Sequence, residues 1–329
     1  MPDRPPADQA APDRSPADQS APDRSPADQS GPDRLRPDQA RPASPQAIPC
    51  GPDPYAPDPS GADPAGSGSS RPAPSWRAAL GLFTIIPAGV GRLGRAEAAV
   101  AMRWLPAVGA LAGLAGAGVL LAARAGVHPA GRSLLAGALA VAVVAVLTGG
   151  LHLDGLADTT DGLASRRSRS EALQLMRRPD VGPMGVAALV LMLLLQVSSL
   201  AAISPAWQAA AALVLATVTG RVAALLAAGR QVPGARATGF GALVTSTVPA
   251  GVQAAAVAIL LAAAVSAGWA AGGPGLAARA GGAALAGLLA GYLVRLAAQR
   301  RLGGVTGDVF GAVIELSGTA VLLTAALSG

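Results

Sequence analysis

Residues 184–228 read MGVAALVLMLLLQVSSLAAISPAWQAAAALVLATVTGRVAALLAA, a long apolar run whose single charged side chain is Arg221. A helix rises about 1.5 Å per residue, so about 20 apolar residues cross the hydrocarbon core of a bilayer. The run is long enough for two crossings, at 184–204 and 206–228, with the break at Pro205 as the turn of a helical hairpin. Outward from it, further runs of the same kind lie at 105–123, 132–150, 248–271, 276–294 and 311–328. Trp76–Val90 is too short to span and is interrupted by Pro87, which suits an interfacial or re-entrant segment. These runs predict an all-α protein, a polytopic transmembrane bundle of about six to seven spans. Their richness in Ala and Gly allows close packing of helix backbones.

The first 75 residues are of another kind. The decapeptide APDRSPADQS occurs at 11–20 and again at 21–30, and 19 of the 28 prolines lie in this stretch. So few large apolar residues cannot offset the entropy of ordering, so residues 1–75 are expected to be a disordered tail. The expected division is this tail and a membrane-embedded domain over 76–329. Charged residues make up 13% of the chain, about half the soluble norm of roughly 25%. Every basic residue is Arg, which excludes lysine Schiff-base chemistry. The one cysteine, Cys50, excludes disulfides and thiolate metal clusters within the chain. No signal peptide is expected, because the N-terminus has no apolar core.

The tail carries a net charge of −4 and residues 76–329 carry +10. On the span layout, Arg92, Arg95, Arg103, Arg166, Arg167, Arg169, Arg177, Arg178, Arg230, Arg236, Arg295, Arg300 and Arg301 fall on one side. Arg124, Arg132 and Arg279 fall on the other, and thirteen against three assigns the first side to the cytoplasm. The basic charge therefore sets orientation in an inner membrane and meets anionic lipid, and with so few aromatic residues it is no nucleic-acid platform.

Only eight acidic residues follow the tail, and three lie in TGGLHLDGLADTTDGL at 148–163. Asp154, Asp158 and Asp161 are spaced i, i+4 and i+7, within about 60° of one another on a helix. Three like charges on one stripe repel unless a cation lies among them, and an oxygen-only set favours magnesium. A solvated helix end is the plainer explanation, but the flanking Leu, Ala and Gly residues oppose it. Asp308 and Glu315 lie on one face of LGGVTGDVFGAVIELSG at 302–318, Glu315 inside an apolar span. A charge there costs about 2.5–3.5 kcal/mol, so Glu315 needs a task or a partner such as Arg221. Both acidic groups fall near the cytoplasmic boundary, so one site can collect them. His152 points about 160° away from Asp154 on a continuous helix, and His128 sits in the opposite-side loop. Arg167, Arg169 and Arg177, directly after the aspartates, are placed to grip phosphate oxygens. Carboxylates, a divalent cation and arginines at a membrane face point to transfer of a phosphate-bearing group.

TGGLHLDGLADTTDGL and LGGVTGDVFGAVIEL resemble the two long signatures of the cobalamin synthase family, the adenosylcobinamide-GDP ribazoletransferases. SRRSRSEALQLMRRPDVGPMG at 165–185, GRVAALLAAGR at 220–230, FTIIP at 83–87 and MRWLPAVGALAG at 102–113 are similar to its other segments, in the family's order. The likeness covers about 76–329. One departure is MRRPDVG at 176–182, which puts an acid at Asp180 rather than at the place of Arg178, so no family role is carried over to Asp180. The resemblance implies that a ribose hydroxyl of α-ribazole, or of its 5′-phosphate, attacks the cobinamide-side phosphate of adenosylcobinamide-GDP and that GMP leaves. It implies a magnesium cofactor held by Asp154, Asp158 and Asp161, with Glu315 as a further ligand. Asp161 and Asp308 become the catalytic candidates, Asp308 as the base. Arg167, Arg169 and Arg177 become phosphate binders, and Gly155 and Gly307 are among the glycines that admit a bulky substrate. A CDP-alcohol phosphotransferase is the nearest rival, although DGLADTTDGLASR is more compact than that family's motif. A secondary transporter using Glu315 and Arg221 is another.

Overall fold

The computed structural model describes residues 75–89, 94–126 and 132–329. All of the expected tail except Ser75 lies outside them, as do Arg92 and His128. Eleven helices and no strands are found among the described residues, so the all-α expectation holds. The short helices α1 (Ser75–Phe83) and α2 (Arg95–Arg103) lead into α3 (Leu105–Gly126) and α4 (Arg132–Leu147). Then come α5 (Leu151–Ala164), α6 (Arg169–Leu175), α7 (Pro183–Ala202) and α8 (Ala206–Ala227). The chain ends with α9 (Phe240–Val244), α10 (Ala250–Leu302) and α11 (Gly307–Leu327).

Five helices (α3, α7, α8, α10 and α11) are long and apolar enough to cross a membrane, or six if α4 and α5 form one bent span. The 53 residues of α10 would reach about 80 Å if straight, far beyond a core of about 30 Å. Instead the chain breaks at Gly272 and Gly273, the latter at φ +73°, with Pro274 restarting the helix. Gly268 then lies against the backbone of Ala277, and Leu260 and Ala264 pack with Ala284, so α10 is an antiparallel hairpin. With its two arms counted separately, the crossings match the seven apolar runs of the sequence.

Most boundaries fall within a few residues of those runs, and the differences have local causes. Helix α4 stops at Leu147 rather than 150 because Gly149 and Gly150 take φ of +60° and +70°, which other residues rarely adopt. These two glycines turn the chain by 91° into α5. Helix α11 begins at Gly307 rather than 311 because the Thr306 hydroxyl caps it, accepting from the Val309 amide at 3.3 Å. Helix α8 is the most buried span, packed along α3, α10 and α11. Where α3 meets it, Gly113 leaves room for the backbone of Val214 and the side chain of Thr217. One apolar cluster, including Phe83, Met102, Leu225, Val305 and Phe310, lies at the end of the bundle that carries α5 and the start of α11.

Candidate active site

Helix α5 is continuous through its three aspartates, as the i, i+4, i+7 spacing requires. Burial deepens along the stripe: Asp154 is exposed, Asp158 half-buried and Asp161 buried at 9% exposure. The helix crosses the first turn of α11 with almost no gap. A Cβ at Gly155 would lie 2.6 Å from the Asp308 carbonyl oxygen, and one at Gly311 would lie 2.9 Å from the His152 carbonyl oxygen. Two glycines thus let the helices touch backbone to backbone, and this contact carries Asp308 to the aspartate stripe. Asp158 lies within electrostatic reach of Asp308, Asp154 and Asp161, and of Arg236.

The Asp308 carboxylate has one oxygen committed. Its Oδ2 accepts from Arg236 Nη1 at 3.3 Å and from Thr306 Oγ1 at 3.2 Å. Arg236 Nη2 donates to the Leu173 carbonyl at 2.9 Å, tying the 229–239 loop to α6. Burial pulls the Arg236 guanidinium below its ordinary range, the adjacent Asp308 opposes that shift, and Arg177 adds to it. Arg177 therefore belongs to the same electrostatic neighbourhood. Arg166, Arg167, Arg169, Arg177 and Arg178 are all exposed, and none forms an ion pair among the described residues. Arg169 lies over Gly303, and Arg301 donates to the carbonyls of Ser165 at 2.6 Å and Arg167 at 2.5 Å, fixing the turn that follows α5. On the other wall, Arg95 bonds the carbonyls of Ala242 and Thr245, and Gly241 rests on the backbone of Thr306 and Gly307. Gly307 itself has ordinary room toward Phe240, whose ring stands edge-on to Phe83 and Phe310.

Not every expected member joins this group. Both oxygens of Asp161 accept backbone N–H bonds at the start of α7, from Gly182 at 2.7 Å and Gly185 at 2.9 Å. A Cβ at either glycine would lie 2.5 Å from a carboxylate oxygen, so Asp161 and the two glycines form one fitted joint. Glu315 lies two turns along α11 from Asp308, about 10 Å away along the axis. There it accepts from Gln196 Nε2 at 2.9 Å, within electrostatic reach of Arg221, and all three residues line a small pocket of about 40 Å³. His152 points away from the aspartates, as its helical position requires, with Nδ1 3.3 Å from Arg221 Nη2. Asp180 is exposed before α7.

Asp154, Asp158 and Asp308 thus come together beside Arg236 and Arg177, while Asp161 and Glu315 are engaged elsewhere. Among the described residues no group of three or more His, Cys, Asp or Glu side chains is placed to hold a metal ion. Magnesium keeps several waters and commonly takes only one or two carboxylates together with substrate phosphates, and Asp154 and Asp158, one turn apart on α5, are two such carboxylates. The residues present fit such an open site.

Residues 75–326 match the family described as cobalamin-5-phosphate synthase (CobS). The chain belongs to the cobalamin-5-phosphate synthase family. The match runs from the first residue of α1 into the last turn of α11. An adenosylcobinamide-GDP ribazoletransferase of Frankia casuarinae is 37% identical over 261 residues, 77% of this chain and 94% of that protein. One of Bradyrhizobium diazoefficiens is 39% identical, over 76% of this chain and 92% of its own. One of Stutzerimonas stutzeri is 42% identical, over 59% and 75%. No solved structure matches the chain. Within this cobalamin-5-phosphate synthase member, the sequence reading missed Arg236, Thr306, Gly182, Gly185 and Gln196. Gly182 and Gly185 flank Pro183 at a helix start, a signal that was legible. Arg236 sits in a loop without periodicity, and nothing in the sequence pairs it with Asp308.

Proposed function

We propose that this membrane protein is an adenosylcobinamide-GDP ribazoletransferase, acting at the crossing of α5 and α11. The observation that carries the reading is the meeting of Asp154 and Asp158 with Asp308 inside the family match. The family match also disfavours the CDP-alcohol and transporter readings. In the reaction, a ribose hydroxyl of α-ribazole or its 5′-phosphate forms a new O–P bond to the cobinamide-side phosphorus. The bond from that phosphorus to the GMP oxygen breaks, and GMP departs.

Asp308 takes the hydroxyl proton on Oδ1, the oxygen without a hydrogen bond, while Arg236 and Thr306 hold Oδ2 and fix the carboxylate's orientation. Arg177, Arg167 and Arg169 grip the phosphates from the α5–α7 side. Asp154 and Asp158 would hold the magnesium ion, which when bound would supply neutralisation of the charge that develops on the phosphoryl oxygens. Asp161 keeps α7 and the arginine segment in register through its two amide bonds. Glu315 ties α11 to α7 through Gln196, and Arg221 ties α8 to α5 through His152. The site faces the cytoplasm of an inner membrane. The excess of arginine at this end of the bundle supports that orientation.

The test is product formation by protein reconstituted in vesicles with adenosylcobinamide-GDP and α-ribazole 5′-phosphate. GMP released in step with a corrinoid carrying the ribazole loop is expected, and Asp154→Asn should abolish it while membrane insertion persists. Absence of both products from folded protein would refute the assignment.

A further inference from the structure

A long groove of about 1010 Å³ runs down the flank of the bundle between α3, α8 and the α10 hairpin. Its wall is almost wholly apolar and built largely of alanines, among them Ala211, Ala256 and Ala263. At one end stand Arg103 and Trp104, beside Leu225 of α8; at the other stand Trp207 and Arg279, beside Ser328. Trp207 to Leu225 is about 27 Å along α8, close to the roughly 30 Å depth of a hydrocarbon core. Tryptophan at both mouths marks both headgroup levels. Arg103 and Arg279 are exposed and form no hydrogen bond or ion pair with a described residue.

We propose that the groove binds anionic phospholipid, one molecule from each leaflet, with acyl chains on the alanine wall and headgroup phosphates at Arg103 and Arg279. Three observations select this occupant. The length matches a bilayer. The lining offers no hydrogen-bonding side chains along its middle, as acyl chains require and a polar ligand would not. The free positive charges lie only at the mouths, where anionic headgroups would sit. The Arg103 end has a further consequence. Arg103 closes α2, the helix whose Arg95 holds the α9 segment against Thr306 and Gly307, so the headgroup sits on the helix that braces the wall beside Asp308.

The experiment uses the full chain in phosphatidylcholine vesicles carrying trace spin-labelled phosphatidylglycerol or phosphatidylcholine, reading the immobilised lipid fraction by electron spin resonance. Phosphatidylglycerol should be retained about fivefold better for each contacting arginine. Arg103→Gln should abolish the preference at that mouth alone, lowering the measured preference from about fivefold to about threefold because the Arg279 mouth keeps its own, and Arg103→Lys should restore it. Ala263→Phe, which fills the wall, should reduce the immobilised fraction of both lipids. Equal retention of the two lipids by the wild-type chain, or an unchanged preference in Arg103→Gln, would overturn the proposal. So would a dimer in the vesicles that Ala263→Phe dissociates, because a second copy would then occupy the groove.

Discussion

Adding one methyl group at Gly155 should disable the site without unfolding the protein. The new Cβ would lie 2.6 Å from the Asp308 carbonyl oxygen and 3.1 Å from its Cα, where ordinary contact begins at 3.4 Å. The neighbour is backbone and cannot rotate away, so α5 and α11 must separate by about 0.8 Å at their crossing. Two terms set the stability change. Alanine favours the helix by about 1 kcal/mol over glycine, and overpacking costs about 1–3 kcal/mol. The net is a loss of about 0–2 kcal/mol, small enough for the protein to remain folded. Activity is far more sensitive, since a displacement near 1 Å of a catalytic constellation can cost about 100-fold. Gly155→Ala should therefore release GMP about 100-fold more slowly, with its melting temperature lowered only slightly. Gly118→Ala, where a Cβ meets nothing within 4 Å, is the control and should turn over at the wild-type rate with a melting temperature equal to or slightly above it. Near-normal turnover in Gly155→Ala would refute the claim that this contact positions Asp154 and Asp158 against Asp308.

Asp161→Ala removes both acceptors at the start of α7 and should cost about 2 kcal/mol of stability, seen as a lowered melting temperature in detergent. Asp161→Asn keeps one acceptor oxygen and should recover part of that loss. Arg236→Ala strips the partner from a half-buried carboxylate and frees the Leu173 carbonyl. A loss of about 2 kcal/mol and a severe drop in turnover are expected, with Arg236→Lys recovering stability better than rate because it cannot span both contacts.

The membrane architecture was legible because apolar length alone decides it. Each of the seven long runs is mostly helical, including both arms of α10, and the shorter Trp76–Val90 run is helical up to Phe83, although composition could not show that Gly272 and Gly273 fold the α10 arms together. The aspartate stripe was equally legible, because 3.6-residue periodicity fixes which side chains share a face. Periodicity is local, however. It placed Asp308 and Glu315 on one face of α11, two turns apart, and could not reveal that Asp308 meets Arg236 while Glu315 meets Gln196. Nor could it show that Asp161 bends its oxygens toward amides 21 and 24 residues onward. Long-range partners such as Arg236 were invisible for the same reason: the contact is made by a loop, and loops carry no period.

The measurement that bears most directly on the site is GMP release as a function of magnesium concentration, for the wild type, Asp158→Asn and Glu315→Gln in vesicles with both substrates. The account predicts no release by the wild type without magnesium and loss of release in Asp158→Asn at every concentration. It also predicts that Glu315→Gln keeps the wild-type magnesium requirement, because Glu315 lies about 10 Å along α11 from Asp308 and is bonded to Gln196. Magnesium-independent release, or full activity in Asp158→Asn, would contradict it.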